Sequence, residues 1–102
     1  MPTAKYHELP VTKIRPGAER RLAHTDNLMM VIVDFYDGPK EQPDPPHSHP
    51  HEQVSYLAEG EVLVIIGDRE TRLGPGDIFL IPADVPHAIR LLTAHARLVD
   101  CF

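Results

Sequence analysis

The sequence predicts an all-β fold, either a sandwich or a barrel. Three observations carry that prediction. The apolar residues fall in short runs rich in Val and Ile, parted by Gly, Pro and Asp. No stretch keeps the 3.6-residue apolar period of a long amphipathic helix. The chain also holds 11 prolines against 6 glycines, and proline interrupts helices and central strands alike. Its 102 residues suffice for one modest core. A single domain over residues 1–102 is therefore expected, with no internal repeat or linker dividing it.

The strands can be placed in order. Two weak ones fall at residues 11–14 and 20–23. Residues 28–36 are apolar on both faces, as in a strand covered on both sides. Residues 53–58 and 61–66 follow, parted by Glu59-Gly60. Gly67-Asp68 turns the chain tightly into 70–73. Gly74-Pro75-Gly76-Asp77 is a strong turn, because Gly supplies positive φ and Pro sets its own. It lacks the Lys-Ser/Thr pair of a phosphate loop. Residues 78–81, 86–92 and 96–102 complete the set. Between the third and fourth strands, residues 39–50 carry Pro39, Pro43, Pro45, Pro46 and Pro50. They read as a stiff loop that brings a histidine cluster to the rim of a barrel.

Charge removes several classes of function. The chain has 15 acidic and 10 basic residues, a net charge of -5, and no basic block. No nucleic-acid backbone or anionic membrane surface is expected as partner. The longest apolar run, residues 28–33, is far short of the ~20 residues that span a bilayer. One cysteine, Cys101, allows no intrachain disulfide. The first residues lack the apolar stretch of a secretion signal. A cytoplasmic location is expected.

Composition points instead to a site. Seven histidines are present, and His47, His49 and His51 alternate. In an extended chain, side chains two apart share a face, so His47, His49 and Gln53 can converge from one segment. Two imidazoles joined by a third ligand from another strand make a divalent-metal site. His87 supplies such a ligand, placed after an apolar strand and a Pro-x-x-x-Pro loop. The helical His-Glu-x-x-His pattern is absent, since Ser55 stands where its second histidine would be. His51 reads as a neighbour of the site or an exposed residue, because Pro50 breaks the extended run. His7, His24 and His95 read as ordinary polar residues, and Cys101 as a small apolar filler.

These motifs resemble the cupins, small barrels of the double-stranded β-helix, or jelly-roll, type. His47-x-His49-x3-Gln53-x6-Gly60 resembles the first cupin motif. Gly76-Asp77-x4-Pro82-x3-Pro86-His87 resembles the second. The resemblance implies metal ligation by His47, His49 and His87, with Gln53 where the family usually has Glu. Three neutral imidazoles and an amide oxygen leave the metal's charge uncompensated. Such a site favours an anionic oxygen ligand and Lewis-acid chemistry over a high-valent redox state. Zinc, nickel, iron, copper and manganese all suit imidazoles to different degrees.

A narrower resemblance, on Arg20-Arg21-Leu22-x-His24-x-Asp26-Asn27-Leu28-Met29 and His47-x-His49-Pro50-His51-Glu52-Gln53, is to the pectin-degradation subfamily of cupins. Those proteins convert 4,5-unsaturated monouronates to the linear keto form. The subfamily's Asp-x-Phe is matched by Asp100-Cys101-Phe102. The resemblance implies that the metal holds the substrate's carboxylate and its ring or hydroxyl oxygens. It implies Asp100 as proton shuttle and Phe102 against the sugar's apolar face. The family's following arginine has no counterpart before Phe102, so either another residue supplies that charge, with Arg90 and Lys40 the candidates, or the function has drifted. Arg90, Phe102 and Tyr56 are the candidate substrate-binding residues, although Tyr56 also suits the core and Phe102 a core or dimer contact. For Asp100 the other reading is a salt bridge or an exposed strand end. Two further functions stay open: a metal-dependent dioxygenase, and a non-catalytic small-molecule-binding barrel. The resemblance also implies a homodimer, with Leu9, Val11 and Ile14 able to add a strand across its interface.

Overall fold

The computed structural model describes residues 3–102. Within them lie a short 3-10 turn at Tyr6–Glu8 and nine strands: β1 (Thr12–Arg15), β2 (Ala18–His24), β3 (Met29–Phe35), β4 (Gln53–Glu59), β5 (Val62–Ile66), β6 (Arg69–Leu73), β7 (Ile78–Ile81), β8 (His87–Leu91) and β9 (Ala96–Cys101). All nine strands expected from the sequence form, with ends shifted by no more than two residues. They make two antiparallel sheets. One has the order β1-β2-β3-β9-β4-β7, the other β6-β5-β8.

Strand alternation assigns every side chain to a face. The larger sheet turns Val31, Val33, Phe35, Leu57, Phe79, Ile81 and Leu98 inward. The smaller sheet contributes Val62, Val64 and Leu91. These meet as the core between the sheets. Leu57 and Val62 are fully buried, and burial of such side chains contributes about 1.5–3 kcal/mol each.

Register places the polar inner residues as tightly as the apolar ones. Asp100 on β9 stands opposite Val31 on β3 and opposite Ser55 on β4. Gln53, two residues before Ser55, shares its inward face. Phe102 extends the same row, exchanging backbone hydrogen bonds with Met29 at 2.7 and 3.0 Å.

The outer face of the larger sheet is unlike the sequence expectation for residues 28–36. Two cross-strand rows are wholly uncharged: Met30–Cys101–Val54–Leu80 and Ile32–Val99–Tyr56–Ile78. Leu80 and Ile78 are about 60% exposed, at 64% and 59%. So β3 is covered on both sides only at its far end, where Asp34 is fully buried. There the Tyr6 hydroxyl donates to Asp34 Oδ2 at 2.5 Å, while Arg97 Nε and His95 Nε2 bond Oδ1 at 2.8 and 2.9 Å. The Tyr6 ring lies between the Arg21 and Arg97 guanidinium groups, 4.0 and 4.4 Å from its centroid. His95 is thus part of a buried ion network rather than a bystander. No pattern in the sequence announced the 3-10 turn that carries Tyr6.

β1 pairs with β2 of its own chain at the sheet edge. The turn at residues 74–77 forms as expected: Asp77 N–H donates to the Gly74 carbonyl at 3.1 Å, and Gly76 has φ +94°. Gly60, in the first motif, has φ +81°, and a Cβ there would strike the His95 carbonyl oxygen. Only glycine fits both constraints.

Candidate metal centre

The proline-rich loop reaches the barrel by bonding to the edge of β8. Lys40 N–H donates to the Leu91 carbonyl at 2.9 Å, and Asp44 N–H to the Ile89 carbonyl at 3.1 Å. His47 and His87 then exchange backbone hydrogen bonds in both directions, at 3.0 and 2.9 Å. Prolines have no N–H to contribute, so the loop bonds only where non-proline residues fall. Anchored this way, the loop presents His47 and His49 beside His87. Ligating nitrogens of the three lie within 4.8 Å of one another.

Hydrogen bonds at the far nitrogens fix which atom of each ring faces inward. His87 Nδ1 donates to the Val85 carbonyl at 2.9 Å, which leaves its Nε2 as a lone pair. That Nε2 is buried and has no hydrogen-bond partner among the described residues. His49 Nδ1 donates to the His51 carbonyl at 2.9 Å, so its Nε2 is likewise a lone pair. Gln53 points its amide nitrogen at Ser55 Oγ, 2.9 Å away, and its Oε1 at His49 Nε2, 3.1 Å away. Two acceptors therefore face each other with no proton between them. A cation resolves that conflict. Two ligand atoms each ~2.1 Å from one ion, at a right angle, stand ~3.0 Å apart.

The donor set thus fits a divalent metal held by His47, His49, His87 and Gln53. Burial, together with the neighbouring His87 and His49, pushes the His47 imidazole below its ordinary range, toward the neutral form that ligates. The ring of His51 packs flat on His49, with centroids 3.9 Å apart and planes 2° apart. Its other side meets Phe102 at 4.4 Å. His51 therefore holds the His49 ring from two directions, by its carbonyl and by its imidazole.

From Gln53 the polar chain continues inward. Ser55 Oγ receives the Gln53 amide and donates to Asp100 Oδ1 at 2.7 Å. Burial pushes the Asp100 carboxyl above the usual carboxylate range, against the lowering effect of the Ser55 hydrogen bond. His47, His49, His87, Gln53 and Asp100 line one cavity of about 490 Å³, a size that takes a small organic molecule, with Ser55 buried behind its wall. Its other walls include Val33, Phe35, Phe79, Leu98 and Phe102.

The structure brings together six of the expected residues: His47, His49, Gln53, His87, Asp100 and Phe102. Two expected substrate contacts are not brought to the cavity. Tyr56 alternates with Ser55 and so stands on the outer face, 45% exposed, away from the cavity. Arg90 alternates with Ile89 and does not line the cavity either; its Nη1 points to the Glu41 carbonyl at 3.4 Å, under the proline-rich loop. Lys40 is held by Asp37 at 2.7 Å. Sequence reasoning missed Ser55, although period 2 from Gln53 already aims it inward. It also missed Arg15 and Arg20, which line the cavity from the other edge of the sheet.

The sequence profile described as "Cupin domain" matches residues 33–102. The chain belongs to the cupin family. Among curated proteins, this cupin is 31% identical over 97 residues to the pectin degradation protein KdgF of Dickeya dadantii, covering 93% of this chain and 86% of that one. It is 31% identical over 77 residues to the acireductone dioxygenase of Candida albicans, covering 69% of this chain and 43% of that one. Among solved structures, KdgF from Halomonas sp. superposes with a TM-score of 0.84 at 31% identity, over 95% of this chain and 87% of that chain.

Proposed function

We propose that this cupin opens the ring of a 4,5-unsaturated monouronate, giving the linear keto acid. The observation that carries the reading is the unbroken path from the metal-ligand set to a proton carrier: His49, Gln53, Ser55 and Asp100, each within 3.1 Å of the next. Its support among relatives is the likeness to two KdgF proteins, one of them described as a pectin degradation protein. A bound divalent ion would act as a Lewis acid toward substrate oxygen, without redox change.

The chain's own residues do the rest. Asp100 takes the proton of the anomeric hydroxyl, and the bond between the anomeric carbon and the ring oxygen breaks as the carbonyl forms. The electron pair stays on the former ring oxygen as an enolate. Asp100 returns the proton to the enol carbon, and the ketone results. No atom is gained or lost. Ser55 holds the carboxyl toward the cavity, and Phe102 gives the sugar's apolar face a flat wall. The dioxygenase reading draws support from the acireductone dioxygenase likeness. Against it stands Gln53, an amide where a carboxylate would compensate a more oxidised metal.

A second copy of the chain is the partner this reading includes. Two rows of four uncharged residues on the outer sheet face, bordered by the Asp34 network, suit self-pairing of like surfaces. The assay is loss of the unsaturated uronate's ultraviolet absorbance. Enzyme-dependent loss without oxygen uptake supports the isomerase. Oxygen uptake with the ferrous protein replaces it with the dioxygenase.

A further inference from the structure

We infer that Arg20 is the anchor for the substrate's carboxylate, on the wall of the cavity opposite the metal ligands. The inference rests on the uronate reading for its substrate, but its evidence is separate.

Arg20 lies on β2 between Ala18 and Leu22. Its place opposite Val33 puts it on the inward face of the sheet, and its side chain lines the cavity. The cavity wall contains one other guanidinium, Arg15, and that one is already neutralised. Arg15 Nη1 donates to Asp37 at 2.7 Å and to the Pro16 carbonyl at 2.7 Å, while its Nε and Nη2 reach Asp44 at 3.2 and 3.1 Å. Among the described residues, no side chain or carbonyl accepts a hydrogen bond from Arg20, and no carboxylate pairs with it. The two carboxylates on the cavity wall are committed elsewhere, Asp44 to Arg15 and Asp100 to Ser55. Arg20 is solvent-exposed at the cavity edge, and its unpaired, forked guanidinium, in the row of Val33 and Leu98, is poised for a planar anion.

Spacing agrees with the size of a sugar acid. Arg20 and Asp100 are two strands apart across the sheet and two residues apart along it, through Val33 and Leu98. Strand geometry makes that about 12 Å between backbones. An arginine side chain and one monosaccharide acid together bridge the gap. The carboxylate then points to Arg20 while the hydroxyl and ring oxygens face the metal ligands and Asp100. This orientation assigns to Arg20 the carboxylate that the sequence resemblance gave to the metal.

The test uses metal-loaded full-length protein and two unreactive probes, D-galacturonate and its uncharged amide, with binding followed calorimetrically. Wild type is expected to prefer the acid. Arg20→Ala should lose about ten- to a hundredfold in acid affinity and keep its amide affinity. Arg20→Lys should recover part of the loss, because it keeps the charge and loses the fork. Metal content should stay unchanged in both variants. Equal acid affinity in wild type and Arg20→Ala overturns the assignment, as does a wild type with no preference or no detectable acid binding. Failure of the unsaturated uronate to react, with the acid preference intact and lost in Arg20→Ala, removes the proposed reaction and leaves Arg20 as the anion anchor.

Discussion

Ser55 and Asp100 stand directly opposite each other on β4 and β9, and the serine hydroxyl donates to the carboxylate at 2.7 Å. Ser55 is fully buried, so no solvent replaces it when it is removed. Ser55→Ala should leave the fold intact and lower stability by about 1–3 kcal/mol, the range for a buried acceptor left short of a donor. Turnover should drop by about tenfold, because the carboxyl is no longer held toward the cavity. Urea denaturation and initial rates on the same preparation check both effects.

Asp100→Asn removes the proposed proton carrier while keeping its shape. The loss of turnover should reach about a hundredfold or more, within the range for a positioned acid–base group. Metal content should not change. A variant with wild-type turnover would exclude Asp100 as the proton carrier.

The Asp34 network sets an acid limit on stability. Burial alone would raise this carboxyl, but hydrogen bonds from Tyr6, His95 and Arg97 outweigh that and hold it below the usual range. The Tyr6 hydroxyl is pushed up to about 12 by its burial and by Asp34. A depressed folded value means the contribution is present above the unfolded value of about 4 and is lost as pH falls through the folded one. Asp34→Asn should therefore cost about 3–5 kcal/mol at neutral pH. Below about pH 4 its stability should fall less steeply than that of wild type. Denaturation midpoints across that window read the difference.

How far the sequence spoke depends on what kind of signal each residue gives. Alternation and turn residues placed the nine strands, because period 2 and Gly-Pro punctuation are local properties. The candidate ligands were legible for the same reason: His47, His49 and Gln53 lie in one short segment, and His87 follows a recognisable turn. Which face of a strand points inward is a tertiary fact. Tyr56 and Arg90, expected at the site, do not line the cavity, while Arg20 and Ser55 stand on inward faces of their strands. The Asp34 network was invisible because it brings Tyr6, Arg21 and the His95–Arg97 segment to Asp34 from separate parts of the chain.

The uncharged outer rows make a prediction about assembly. Leu80→Glu introduces a charge at the most exposed position of the face, where the isolated chain has little packing to lose. Wild type should run as a dimer by light scattering and Leu80→Glu as a monomer, with an unchanged folded spectrum. A monomeric wild type would leave that face without a second copy.

The most direct test of the account is the rate at which a 4,5-unsaturated monouronate loses its ultraviolet absorbance, measured on one preparation before chelation, after it, and after a divalent ion is restored. The account predicts acceleration over the spontaneous rate by the loaded protein, loss of that acceleration on chelation, and its return with the ion. Protein that carries one ion per chain and leaves the spontaneous rate unchanged would contradict it.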